Sequence, residues 1–346
     1  MPPAGTTTPA PATSPGSSQT RQDSNALLLG LFAATAYSVA NMALRGLAKA
    51  DGGPGWDMWV AGTKAFPTFF VAITLIAWRR WHGKTSFAEW SFVWPIAVAA
   101  LFNQLGGNFA FQMSLRAIGL AISVPICFSS IICSGAVVGR VVLGDQVTVR
   151  TAIAMGLMVA SIAFLSTAAQ SRSAPVADNA AVSEDTSAEG NRALEQTLTT
   201  QPSLGVAAGV GLSMLSGLCY GVTGVFIRKA VRSHMPVAAT LFLFSAAGFL
   251  VLCPGSLLLL PLSDIAQTTS GEWLTIATAG IFNAIGFFAI THAMRHLNIS
   301  RANVINASQN ALCAIGAVLV FNESLSPLAL LGIALTISGL LVLDRR

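Results

Sequence analysis

Charge is what this chain has least of. Of its 346 residues only 10% are Asp, Glu, Lys or Arg, while 53% are hydrophobic. A soluble domain carries about 25% charged residues, so a water-facing globular surface is excluded. The mean hydropathy of +0.67 marks an integral membrane protein. The formal charge of +5 therefore bears on orientation in the bilayer, and no nucleic-acid partner is expected. Cysteine is sparse too. Cys127, Cys133, Cys219, Cys253 and Cys313 all lie in apolar runs with no CxxC pair, which argues against a disulfide frame or a zinc site. The histidines are scattered, and HExxH, GxSxG and Walker patterns are missing. No enzyme, metal or cofactor is expected. No Asp or Glu falls in the middle of an apolar run, although membrane carboxylates are a common carrier of coupling protons.

What is present is a series of apolar runs, each near the roughly 20 residues that cross about 30 Å of hydrocarbon. They are 26–46, 59–78, 92–113, 120–139 and 150–168, then 204–227, 236–257, 273–293, 302–321 and 325–343. Residues 1–24, rich in Pro, Thr, Ser, Ala and Gly, cannot bury enough surface to fold and are expected to be a disordered tail. They lack the basic start and apolar core of a signal peptide. Residues 169–203 are polar and read as a flexible linker. The expected fold is thus an all-α polytopic membrane protein with ten transmembrane helices, five in 25–168 and five in 204–346.

The central stretch is LFNQLGGNFAFQ, Leu101 to Gln112. Gln104, Asn108 and Gln112 are spaced to share one face of a helix, with Asn103 and Gly107 beside them. Amides facing lipid cost several kcal/mol each, so the stripe should face protein or a wet cavity. The stretch has an echo: IFNAIGF (Ile281 to Phe287) matches Phe102, Asn103 and Gly106 with Phe282, Asn283 and Gly286. AYSVANMALR (Ala36 to Arg45) likewise matches CYGVTGVFIR (Cys219 to Arg228), superposing the chain's two tyrosines, Tyr37 and Tyr220. The corners Leu143-Gly144-Asp145 and Phe321-Asn322-Glu323 follow in the same order. Three ordered matches favour duplication over chance. An odd number of spans per copy makes the two copies insert in opposite directions, giving inverted repeats. Most Lys and Arg, including Arg79, Arg80, Lys84, Arg140, Arg150 and Arg228, then fall on the inner side if both termini are cytoplasmic.

This pattern resembles the drug/metabolite transporter superfamily, in particular its EamA-type permeases. The residues that carry the resemblance are Tyr37 and Tyr220, Phe102-Asn103 and Phe282-Asn283, and the turns Leu115-Arg116-Ala117-Ile118 and Met294-Arg295-His296-Leu297. The two acidic corners resemble that family's Leu-Gly-Glu corner, although the first has Asp145 and the second Phe321-Asn322. The resemblance implies a ten-helix permease with a central substrate path and leaves the substrate open. The small multidrug relatives depend on a glutamate in their first span. Here that span offers Tyr37 and Asn41, which disfavours proton-coupled efflux of cations.

Lys64 lies within the second run, roughly 8 Å from its end at 1.5 Å per residue. It is either an attraction site for an anionic substrate or a lysine snorkelling to the headgroups. Candidate substrate-binding residues are Tyr37, Asn41, Lys64, Asn103, Gln104, Asn108, Gln112, Tyr220, Asn283, Asn306 and Asn310, with Asn303 and Gln309 nearby. Ser213, Ser216 and Thr223 suit bonds between helices, worth around 1 kcal/mol each. Gly135/Gly139, Gly205/Gly209 and Gly217/Gly221 suit close helix packing, and Pro67, Pro125 and Pro254 suit bends. The expected function is a secondary transporter for a small polar or anionic metabolite in a bacterial inner membrane. Expected partners are the small-molecule substrate and the lipid bilayer, with a homodimer also open. The alternative is a membrane scaffold or receptor that docks a partner through the tail and linker.

Overall fold

The computed structural model describes residues 17–49, 52–87, 90–144, 146, 148–173, 204–233, 235–294, 305–306 and 308–344. Among these, every regular element is helical. Seven helices are long and apolar enough to cross a membrane, and Gln309–Phe321 and Pro327–Val342 are shorter apolar helices. The protein is an integral, multi-pass membrane protein. Asn303, Asp145 and most of the linker lie outside the described residues.

The first half runs α1 (Ser17–Gly46), α2 (Pro54–Thr63), α3 (Phe66–Trp81), α4 (Trp90–Phe102), α5 (Ala110–Ile118), α6 (Leu120–Leu143) and α7 (Val149–Ser173). The second half runs α8 (Val206–Arg232), α9 (Val237–Ala247), α10 (Cys253–Ser256), α11 (Leu262–Ala266), α12 (Ser270–Ala293), α13 (Gln309–Phe321) and α14 (Pro327–Asp344). Helix α1 starts at Ser17, inside the expected 1–24 tail, and α7 runs to Ser173, past the expected linker start at 169. In both places backbone hydrogen bonding carries a helix beyond its apolar run, which hydropathy does not register.

Three apolar runs are broken inside. The second has a turn at Lys64 and Ala65 between α2 and α3, and Pro67 sits in the first turn of the new helix. Proline has no N–H to donate and is tolerated there. The third and seventh runs each contain a π-helical turn, Asn103–Phe109 between α4 and α5 and Gly248–Leu252 between α9 and α10. Pro254 opens α10 directly after the latter. By contrast, Pro125 stays inside an unbroken α6.

The pairing of helices is reciprocal between the halves. Helix α1 packs along α12, while α8 packs along the rod formed by α4, the wide turn and α5. Helices α7 and α14 pack on each other, as do α3 and α9. The tightest approach is α6 on α8, made by glycine. A Cβ on Gly217 would meet the Cys127 carbonyl and Ser130, and one on Gly221 would meet Ser134 and the Ile131 carbonyl. Three apolar clusters fill the interior, one centred on Phe244 and Met235, one on Leu44, Leu115 and Leu120, and one on Ile122, Ile126 and Leu165.

Candidate binding cavity

A cavity of about 190 Å³ lies between the halves. Each broken rod contributes to it. Helix α1 supplies Tyr37 and Asn41. The α2–α3 turn supplies Lys64, and the first turn of α3 supplies Thr68. The wide turn supplies Asn103, Gln104 and Asn108. From the second half come Tyr220 and Thr223 of α8, Asn283 and Phe287 of α12, and Asn306 and Gln309 at the start of the ninth run. Phe111, Phe128 and Phe244 add aromatic surface.

The wide turn explains the amide geometry. In an α-helix its groups would point along one narrow stripe. With the extra residue of a π turn, Gln104 reaches the partner half and donates through Nε2 to the Phe244 carbonyl at 2.6 Å. Asn108 donates through Nδ2 to Gln104 Oε1 at 2.7 Å, and Tyr220 donates its hydroxyl to Asn108 Oδ1 at 2.9 Å. Across the cavity, Asn41 donates to Gln309 Oε1 at 3.0 Å, and Gln309 donates to the Asn306 carbonyl at 2.9 Å. These chains hold the amides in place along the cavity wall.

Lys64 is 4% exposed and, among the described residues, is the one charged side chain on the lining. It lies on the cavity wall. Its neighbour one turn on, Thr68, is equally buried, and the Thr68 hydroxyl has no hydrogen-bond partner. All the candidate residues except Gln112 and Asn310 line this one cavity. Those two lie off its lining. Gln112 turns away and donates through Nε2 to the Leu44 carbonyl at 3.1 Å, because the wide turn ends at Phe109 and the α5 that follows packs against α1 and α2. Asn310 is fully buried one position beyond Gln309, on a different face of α13. Ser213 and Ser216 serve helix packing, the former donating to the Ser123 carbonyl at 2.7 Å and the latter meeting Cys127 Sγ.

Beyond the amides, the lining runs towards Met294 at the far end of α12 and stops short of the opposite end, which is closed by ion pairs. There Arg45 Nε donates to Glu323 Oε1 at 2.7 Å. The same carboxylate accepts the Leu120 and Ala121 backbone N–H groups at 3.1 and 3.0 Å, so it caps α6 from the turn that follows α13. Gly119, at φ +75°, sits against Glu323 where a Cβ would clash. Arg116 pairs with Asp57 at 2.9 Å and bonds the Gly52 carbonyl, and Lys49 pairs with Glu272. Trp56 Nε1 donates to the Leu47 carbonyl at 2.8 Å. Asp57 is fully buried within α2. The expected span began at residue 59 and left Asp57 outside it. The signal was Pro54, a residue favoured at the first helical position.

Comparisons with known proteins agree with the architecture. Residues 207–343 match the EamA-like transporter family. No curated protein matches the chain. A solved structure, titled only as the crystal structure of a protein, has a TM-score of 0.52 and 15% identity. It covers 95% of this chain and 96% of that one, a likeness of fold. The second half is thus similar to an EamA-like transporter domain.

Proposed function

We propose that the protein is a secondary transporter for a small polar or anionic metabolite, working by alternating access between two inverted five-helix repeats. One observation carries the reading: a cavity between the halves, walled by Tyr37 and Tyr220, lined with amides and holding Lys64. An amide-lined cavity with a single cation gives neutral hydrogen bonds to a polar solute and an attraction for a carboxylate or phosphate. The reciprocal packing of α1 on α12 and of α8 on the α4–α5 rod is what two oppositely inserted copies would give. Tyr37 packs its ring on Gly286 and Tyr220 packs its ring on Gly107, a second pairing of that kind. Rocking of one half on the other would expose the cavity to alternate sides. The distribution of Lys and Arg favours both termini on the cytoplasmic side, and the short loops between the apolar runs suit a bacterial inner membrane.

The test is flux in liposomes containing the purified full chain. Lys64→Ala is expected to weaken transport of anionic or zwitterionic solutes and to leave neutral ones largely untouched. Equal loss for both rejects charge attraction. Reporter tags before residue 25 and after residue 343 should report the same side of the membrane, and opposite sides would remove the inverted arrangement.

A further inference from the structure

We propose that the cavity takes a small organic monoanion with an apolar body, and that Lys64 makes the protein exchange one such anion for another. This deepens the transporter reading above and rests on it. Among the described residues the cavity holds one positive charge and no carboxylate. Three carboxylates whose side chains the structure describes are paired elsewhere: Asp57 with Arg116, Glu272 with Lys49 and Glu323 with Arg45. Asp264 lies exposed on the short α11. Lys64 therefore has no counter-charge of its own among these residues.

An ammonium can sit in an open, wet cavity at little cost. Closing the cavity around it strips that water, and a lone buried charge is strongly unfavourable unless paired. A bound monoanion supplies the pair. A divalent anion would leave one negative charge over, and a cation would face repulsion. The Thr68 hydroxyl, buried and without a partner one helical turn from Lys64, adds a donor for the same anionic group. Phe111, Phe128 and Phe287 provide the surface against which an apolar body would pack.

The consequence is kinetic. The loaded form crosses the closed state as a neutral pair, while the empty form must close on an unpaired ammonium. If that raises the barrier enough to slow the empty return about a hundredfold, net movement is slow and exchange is fast. The expected signature is therefore acceleration by anion on the far side of the membrane.

The experiment uses the full chain in liposomes and three probes with one body and different charge: phenylacetate, phenylacetamide and 2-phenylethylamine. Uptake of labelled phenylacetate is measured into vesicles preloaded with each probe or with none. Phenylacetate inside should speed uptake by at least about tenfold, and the amide and amine should not. Lys64→Gln should bring the loaded-to-empty ratio close to one, with folding checked by thermal unfolding in detergent. Thr68→Val should lower phenylacetate uptake and keep the ratio. Brisk uptake that is equal in loaded and empty vesicles overturns exchange and leaves the transporter reading standing. Acceleration by the amide or the amine equal to that by phenylacetate overturns the anion class alone. Absence of phenylacetate flux, with folded protein present, overturns this proposal, and absence of flux for every solute in the liposome test above overturns the transporter reading as well.

Discussion

The two halves place matching backbone in matching positions and then fill it differently. On each side a tyrosine ring lies on a glycine: Tyr37 on Gly286 and Tyr220 on Gly107. Yet Tyr220 donates its hydroxyl to Asn108, while no hydrogen bond joins the Tyr37 hydroxyl to another described residue. On each side a glycine brings two helices together. Gly217 of α8 faces backbone of α6, whereas Gly316 of α13 faces the Met42 side chain of α1. Among the described residues the cavity's charge comes from the first half alone, through Lys64. The lesson is that helix packing tolerates little divergence, because close approach admits few residues. The cavity's chemistry can differ between halves without disturbing that packing.

Four substitution experiments break or sharpen this contrast. The largest effect is expected at Glu323, whose carboxylate joins Arg45 to the start of α6. Glu323→Ala leaves buried partners unpaired and should lower stability by about 3 kcal/mol or more, read as a fall in thermal midpoint in detergent. Glu323→Gln should lose less. Next come the glycines. Gly217→Ala drives a methyl into backbone and should cost about 1–3 kcal/mol, whereas Gly316→Ala asks only that a flexible methionine move. Equal losses would show that the two contacts are alike after all. Gln112→Ala removes a bond to the Leu44 carbonyl outside the cavity. It should cost about 1 kcal/mol of stability and leave solute selectivity unchanged in liposome uptake. The smallest effect is at the tyrosines. Tyr220→Phe should cost about 1 kcal/mol and Tyr37→Phe less, so a larger loss at Tyr37 would reveal a partner the geometry does not show.

The rods of this fold are legible from hydropathy because each must bury or expose apolar side chains over a fixed thickness. The breaks within them are not, since a turn at Lys64 or a π turn changes the path of the backbone without changing apolarity. The ion pairs at the closed end are hidden for another reason. Arg45 and Glu323 lie far apart in sequence, and no local spacing links them. The candidate residues on the cavity were readable as polar groups in apolar runs. Gln112 was not separable from its neighbours by spacing, because spacing assumes an unbroken α-helix. The π turn did leave a trace. Asn103 matches Asn283 and Arg116 matches Arg295, so the first half has one more residue between these marks than the second does. That surplus falls where the wide turn lies.

The surplus residue acts as a phase shifter. Each residue of an α-helix advances the side-chain direction by about 100°, so everything beyond Phe109 owes its heading to one added position. With it, Arg116 arrives at Asp57 and Gln112 at Leu44. Deleting Leu105, whose side chain is exposed, should therefore do more harm than truncating it to alanine. The deletion would misdirect a whole helix end, while the truncation would remove only a few carbons facing outward.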